Sequence, residues 1–251
     1  LELVWSDNYY EAKDANVYNE EGDVVGTRTY DIDGSFDKGE LIYYSKFPTA
    51  YELMSFVTPY GIGLDFGLDG LTWTFDVTDF GPILKNSKRI YMTAGGQWQE
   101  DMDISFEFID GIPDRDVIDI NQIWPVRSTG YQNILSDWRY EPRQFTYDDN
   151  VDAYKIRTAI TGHGQEGEFI PRIHSINVSD FIDSWSVWKE CSENPVYPQG
   201  GTWVYDRAGW CPGMATDVRD FDVTDYFKFA QTPTIDYTVN TASGDSRYYV
   251  N

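Results

Sequence analysis

The strongest structural signal in this chain is the stretch Cys191-Ser-Glu-Asn-Pro-Val-Tyr-Pro-Gln-Gly-Gly-Thr-Trp-Val-Tyr-Asp-Arg-Ala-Gly-Trp-Cys211. It contains both cysteines of the sequence and, between them, two Trp, two Tyr and two Pro residues. So many large rings would leave much apolar surface in water if the loop stayed open. Two cysteines in a turn-rich loop favour a disulfide and an oxidising compartment, with two buried free thiols as the alternative. We therefore expect a compact loop that builds a surface of the protein.

The charge of the chain is strongly negative. Forty-two Asp and Glu residues stand against 19 Lys and Arg residues, which gives a formal net charge of −23. Non-specific binding to nucleic acid and attraction to an anionic membrane both need the opposite sign. No apolar run approaches the roughly 20 residues of a membrane-spanning helix. We therefore expect no nucleic-acid partner and no membrane insertion, and a secreted or salt-exposed protein.

Apolar and polar residues alternate along much of the sequence, which is typical of half-buried strands. The alternation is clear at residues 71–77, 102–108, 154–160 and 235–239. No long segment has a helical period, and short helical turns are expected only at the similar phrases 76–80 and 222–227. The pattern predicts an all-β protein.

A break in this pattern occurs at residues 111–117, which read Gly-Ile-Pro-Asp-Arg-Asp-Val. Glycine, proline and three charges end one series of strands before another begins. We place a domain boundary between residues 114 and 115. The predicted architecture is two antiparallel β-sandwich domains, 1–114 and 115–251.

The histidines give little support for a transition-metal site. His163 and His174 are the only two, and they lack the spacing of a ligand pair. Each is expected to be a hydrogen-bonded residue of the surface or of a cleft. Phosphate-binding loops and a Gly-x-Ser-x-Gly nucleophile motif are also missing from the sequence.

An acidic stretch at residues 31–40 could supply oxygen ligands to calcium. Phe36 stands where an EF-hand loop needs glycine, so a solvated acidic turn is the main interpretation. We expect no cofactor, and we retain as the alternative a structural calcium near Asp31, Asp33 and Asp37.

Residues 206–215, Asp-Arg-Ala-Gly-Trp-Cys-Pro-Gly-Met-Ala, together with Cys-Ser-x-Asn-Pro from 191, resemble the peptide-N-glycosidase F family of bacterial secreted amidases. Weaker similarity covers residues 15–18, 56–60, 75–80, 106–114, 160–164 and 172–178. The resemblance implies two adjacent antiparallel jelly rolls with the active site in the cleft between them. It also implies that the jelly roll of 1–114 lacks its first strands and that Cys191 and Cys211 form a disulfide.

The resemblance further implies hydrolysis of the amide that joins N-acetylglucosamine to asparagine, with a glycoprotein or glycan as partner. Such chemistry needs a carboxylate as base and groups that polarise the carbonyl, and the family uses one aspartate and two glutamates. Glu168, in a glycine-rich loop, matches one of these glutamates. The substrate-binding candidates are Arg207, Trp210, Trp98 and His163.

Two catalytic positions depart from the family pattern. Ala12 stands where the essential aspartate is expected, and Thr93 stands where the second glutamate is expected. The acids near position 12 that remain catalytic candidates are Asp7, Glu11 and Asp14. We therefore expect a secreted or cell-surface, noncatalytic module that binds glycans or proteins, including other domains or subunits of a larger surface assembly. The alternatives are an active amidase and a purely structural role.

Overall fold

The computed structural model describes residues 2–5, 13–30, 41–43, 50–61, 64–93 and 101–251. The chain divides into two units, Leu1–Thr49 and Ala50–Asn251. In the first unit, strand β1 (Glu2–Trp5) pairs antiparallel with β4 (Leu41–Tyr43), and β2 (Lys13–Tyr18) pairs antiparallel with β3 (Val24–Tyr30). Asn19 closes the turn between β2 and β3, because its Oδ1 accepts a hydrogen bond of 2.8 Å from the backbone of Asp23.

The second unit contains a complete double-layer sandwich between residues 127 and 250, a region that the structure describes throughout. Its strands are β5 (Arg127–Gly130), β6 (Arg143–Gln144), β7 (Lys155–His163), β8 (Arg172–Val178), β9 (Phe181–Val187), β10 (Val218–Asp222), β11 (Thr234–Val239) and β12 (Arg247–Val250). One sheet has the order β10-β7-β12-β5, and the other has the order β6-β11-β8-β9. All the pairs are antiparallel. Eight strands distributed over two four-stranded sheets in this way form a jelly roll.

The core of the jelly roll lies between these two sheets. Along β11, every second residue is buried, which places Ile235, Tyr237 and Val239 on the inner face. Each such side chain contributes roughly 1.5–3 kcal/mol when it leaves water. His174 also points into this core and is fully buried, so its predicted surface or cleft position is wrong. Its neighbours are aromatic rings, and the nearest is Tyr248 at 4.7 Å between ring centroids.

The all-β, antiparallel prediction is confirmed, and two of the four predicted strands are strands. All of 154–160 except Tyr154 falls on β7, and residues 235–239 fall on β11. Residues 71–77 and 102–108 are not strands, although exposure alternates along 71–77. Trp73 on this stretch stacks on Phe56 with ring centroids 4.5 Å apart. Alternation therefore gives this stretch two faces, although no described strand pairs with it.

Short helices occupy both places where helical turns are predicted. A 3₁₀ helix at Thr78–Phe80 leads into α1 (Gly81–Leu84), and α4 spans Thr224–Ala230. Two others, α2 (Tyr131–Leu135) and α3 (Gln165–Phe169), connect strands of the jelly roll.

Several predictions concern the first part of the chain. The boundary between 114 and 115 and the jelly roll of 1–114 stay predictions. Asp31, Asp33 and Asp37 lie outside the described residues. Within the described ranges, His, Cys, Asp and Glu side chains form no group suited to a metal ion. None of the helices described is long and apolar enough to cross a membrane.

Candidate functional site

The segment 207–210 is held against β7 by backbone contacts that require glycine. Gly162 on β7 donates a backbone hydrogen bond to the carbonyl of Ala208 at 3.0 Å, and Ala208 donates to the carbonyl of Glu168 at 2.9 Å. A Cβ on Gly162 would lie 2.6 Å from the Cβ of Ala208. Gly209 has a positive φ of +77°, and a Cβ there would lie 2.0 Å from the carbonyl oxygen of Ile160. The Ala-Gly pair is thus what lets this segment lie so close to the strand.

The loop that contains this segment is cross-linked. Cys191 and Cys211 form a disulfide with their Cα atoms 5.6 Å apart, which confirms the predicted pairing. The backbone of Cys191 also donates a hydrogen bond of 2.9 Å to Asp206, and the side chain of Asn194 donates one of 2.6 Å to the carbonyl of Pro212. The disulfide and these hydrogen bonds fix the loop at both ends.

Replacing both cysteines with serine is expected to lower the free energy of unfolding by about 3 kcal/mol, because the open chain regains the entropy of a loop of this size. Urea unfolding of the oxidised wild type and the double variant measures the change. A reducing agent provides the control, since it should shift the wild-type midpoint and leave the variant unchanged. Equal midpoints for oxidised and reduced wild type would contradict the prediction.

Arg207 is the centre of the site, and its side chain is fully buried. Its Nη2 donates hydrogen bonds to Thr202, at 2.5 Å to the carbonyl oxygen and 3.2 Å to the hydroxyl. The guanidinium carbon lies 4.6 Å from the ring centroid of Trp210, 5.1 Å from that of Phe169 and 5.6 Å from that of Tyr60. Cation–π attraction of this kind is strongest where water is excluded.

Glu168, at the end of α3, is the anionic partner of Arg207. Its Oε1 lies 3.5 Å from Nε of Arg207, too long for a good hydrogen bond, and Nε has no hydrogen-bond partner within the described chain. We therefore treat the contact as a Coulombic pair. Burial raises the pKa of Glu168, while the Arg207 guanidinium opposes the shift. The Glu168 side chain keeps 19% of its surface exposed, so the carboxylate remains accessible.

Aromatic groups surround this pair on the side of β7. Trp210 donates its indole N–H to the carbonyl of Gly162 at 3.0 Å and stacks on His163 with ring centroids 5.8 Å apart. Nε2 of His163 lies 2.8 Å from the hydroxyl of Thr161. Burial lowers the pKa of His163, and the nearby positive charge of Arg247 lowers it further.

Four of the residues proposed from the sequence therefore come together: Glu168, Arg207, Trp210 and His163. Asp14 lies in the first unit, on β2, where it is exposed and accepts a hydrogen bond of 2.6 Å from Thr29. Thr93 is also exposed. Asp7, Glu11 and Trp98 are outside the described residues. The catalytic and substrate-binding roles assigned to the proposed residues stay predictions.

Tyr60 and Phe169 belong to the same cluster and were not singled out from the sequence. Tyr60 is tied to the disulfide loop, because its backbone N–H donates to Gln199 and its carbonyl accepts from Gly200, both at 2.7 Å. Burial raises the pKa of the Tyr60 hydroxyl, and the Arg207 charge opposes this rise. Phe169 could have been noticed because it directly follows Glu168, whereas Tyr60 carried no polar signal of its own.

The arrangement joins a carboxylate of raised pKa to a buried cation in an aromatic setting. Such a carboxylate can accept or donate a proton closer to neutral pH than an ordinary glutamate. The fold and the site together define an antiparallel jelly-roll protein in which a buried arginine of the disulfide loop pairs with a glutamate of α3.

Comparison with known proteins agrees with this class. Residues 130–250 match the family described as peptide-N-glycosidase F, C terminal. The chain is 27% identical over 225 residues to the peptide-N(4)-(N-acetyl-beta-D-glucosaminyl)asparagine amidase F of Elizabethkingia miricola, covering 80% of this chain and 62% of that protein. These matches support the resemblance to the peptide-N-glycosidase F family. The chain spans about three fifths of the length of that relative.

Solved structures of similar proteins were also found. PNGase F, described as a glycosylasparaginase from Flavobacterium meningosepticum, is 28% identical with a TM-score of 0.39, over 43% of this chain and 40% of that one. PNGF-II is 22% identical with a TM-score of 0.33, over 44% of this chain and 23% of that one.

Proposed function

We propose that this protein is a secreted or cell-surface member of the peptide-N-glycosidase F family that binds N-glycans or glycoproteins without hydrolysing them. The observation that carries the proposal is the replacement of two acids that the family resemblance requires, by Ala12 and Thr93. Neither a methyl group nor an alcohol can serve as a base near neutral pH. Removing a catalytic carboxylate normally costs several orders of magnitude in rate, and the fold alone does not replace it.

Ligand binding does not need the missing acids. The carboxylate of Glu168 can accept hydrogen bonds from sugar hydroxyl groups, and Arg207 holds it in place from the buried side. The relative from Elizabethkingia miricola is named for an amidase that acts on N-acetylglucosaminyl asparagine. An N-glycan linked to asparagine is therefore the ligand class that we propose for this chain.

A secreted or surface location is part of the same proposal. The disulfide between Cys191 and Cys211 favours an oxidising compartment. The large negative charge keeps such a protein soluble. We include other domains or subunits of a surface assembly among its possible partners.

An active amidase is the second candidate, and the raised pKa of Glu168 beside Arg207 favours it. A carboxyl group with that property suits general acid–base catalysis. In this reading, another acid would take over the role of the residue missing at position 12.

Incubation with a denatured N-glycoprotein separates the two candidates. We expect the mass of the glycoprotein to stay unchanged, because the required carboxylates are missing, while calorimetry detects binding of an N-glycopeptide. The amidase F of Elizabethkingia miricola is the positive control, and the Glu168→Gln variant is the matched control. Glycan release that Glu168→Gln abolishes would overturn the noncatalytic proposal and establish the amidase.

A further inference from the structure

An open hollow of 710 Å³ lies beside the Glu168–Arg207 pair. Three aromatic side chains, Phe169, Trp188 and Tyr205, line it together with the polar residues Ser192, Thr202 and Asp206. Its volume falls in the range of about 300–1,000 Å³ that is usual for small-ligand sites. The mixture of ring faces with hydroxyl and carboxylate groups distinguishes it from a purely apolar groove.

The hollow is continuous with the site through its aromatic side chains. Phe169 packs edge to face on Tyr205 with ring centroids 6.3 Å apart, and its other neighbour is the guanidinium of Arg207 at 5.1 Å. Tyr205 remains 57% exposed. A ligand that covers Tyr205 would therefore be separated from the Arg207 side chain by the ring of Phe169.

The polar groups of the hollow are held before any ligand arrives. Thr202 is fixed by two hydrogen bonds from Arg207, and Asp206 accepts one of 2.9 Å from the backbone of Cys191. Both residues lie between the two disulfide-bonded cysteines, as do Ser192 and Tyr205. A preorganised site loses less conformational entropy when it binds.

We propose that this hollow is a subsite for an uncharged sugar residue of the bound glycan, with Trp188 and Tyr205 as its stacking platform. Sugar rings present apolar C–H faces to aromatic rings, and their hydroxyl groups suit acceptors such as Asp206 and donors such as Ser192. Asp206 and the net charge of −23 repel sialic acid, sulfate and phosphate, so a neutral sugar is favoured. The proposal rests on the proposed glycan-binding function and adds the residues and the charge that select the ligand.

Calorimetric titration with a free neutral high-mannose N-glycan tests the subsite. Trp188→Ala and Tyr205→Ala are each expected to weaken binding about tenfold or more, as for aromatic anchors at other binding sites. Trp138→Ala is the matched control, because Trp138 is 63% exposed and does not line the hollow. Its affinity should equal that of the wild type. The exposure of Tyr205 makes Tyr205→Ala a variant that should fold even if Trp188→Ala does not.

The possible results distinguish the sugar subsite from the broader proposal that the protein binds glycans. Wild-type binding that neither Trp188→Ala nor Tyr205→Ala weakens would overturn the subsite and leave glycan binding intact. If the wild type bound neither the free glycan nor an N-glycopeptide, both proposals would fall. A sialylated glycan that binds as tightly as the neutral one would overturn the assignment to an uncharged sugar.

Discussion

Replacing Arg207 with methionine is expected to lower the free energy of unfolding by about 3–5 kcal/mol. The substitution removes the cation from a fully buried position and leaves Glu168 without its partner. It also removes the hydrogen bonds to Thr202 and the contact of 4.6 Å with Trp210. Denaturant unfolding at pH 7 measures the loss.

Arg157→Met is the matched control for this prediction. Arg157 lies closer to its two carboxylate partners, at 2.8 Å from Asp220 and 2.9 Å from Asp79, yet it is 31% exposed. Water screens such a pair, so its loss should cost only about 1 kcal/mol. A larger effect at Arg157 than at Arg207 would contradict the idea that burial, and not distance, decides the cost.

A double-mutant cycle measures how much of the stability lost in Arg207→Met comes from the interaction of Arg207 with Glu168. Glu168→Gln in the Arg207→Met background should cost less than it does in the wild type. In the wild type it leaves the Arg207 cation unpaired, whereas in the variant it removes a carboxylate that has already lost its partner. Protonation of Glu168 in acid should have the same effect as Glu168→Gln. Without Arg207, the pKa of Glu168 rises further above its value in the unfolded chain. The loss of stability caused by Arg207→Met should therefore include a part that is absent below the unfolded pKa of Glu168 and grows as the pH rises above it. Additive effects at pH 7 would exclude coupling between the two residues.

The alternating pattern correctly predicted strands only where the stretch pairs with other strands in a sheet. Residues 155–160 of the predicted stretch form part of β7 because β10 and β12 flank this strand. Its pairing joins Ile160 to Val250, far apart in the sequence. Local alternation of apolar and polar residues does not indicate which distant strand will pair with a stretch. Residues 71–77 alternate in exposure but are not part of a strand.

Prediction of the site depended on different signals for different residues. Glu168, Arg207 and Trp210 came from the resemblance, and the structure brings them into contact through Arg207. Tyr60 reaches the same cluster only through long-range hydrogen bonds to residues 199 and 200, which no local pattern reveals. Trp188 is not among the candidates selected from the sequence, and it becomes a proposed sugar contact because the fold places it in the same hollow as Tyr205.

Acid is expected to destabilise the jelly roll through His174. Burial lowers the pKa of this histidine to about 3, against an ordinary value near 6.5. Between these values the unfolded chain binds a proton that the folded chain excludes, so stability falls as pH decreases through this window. The contribution is about 1.4 kcal/mol for each pH unit. Above pH 6.5 it vanishes, because His174 is neutral in both states.

His174→Phe and Tyr237→Phe together isolate this effect. Nδ1 of His174 lies 2.6 Å from the Tyr237 hydroxyl, so either variant breaks one buried hydrogen bond and costs roughly 1–3 kcal/mol at neutral pH. Only His174→Phe removes the titrating group. Its unfolding free energy should therefore depend less steeply on pH between 6.5 and 3 than that of the wild type, whereas Tyr237→Phe should keep the wild-type slope. Acidic residues such as Asp79 titrate equally in all three proteins, so parallel curves for His174→Phe and the wild type would show that the core histidine does not sense acid.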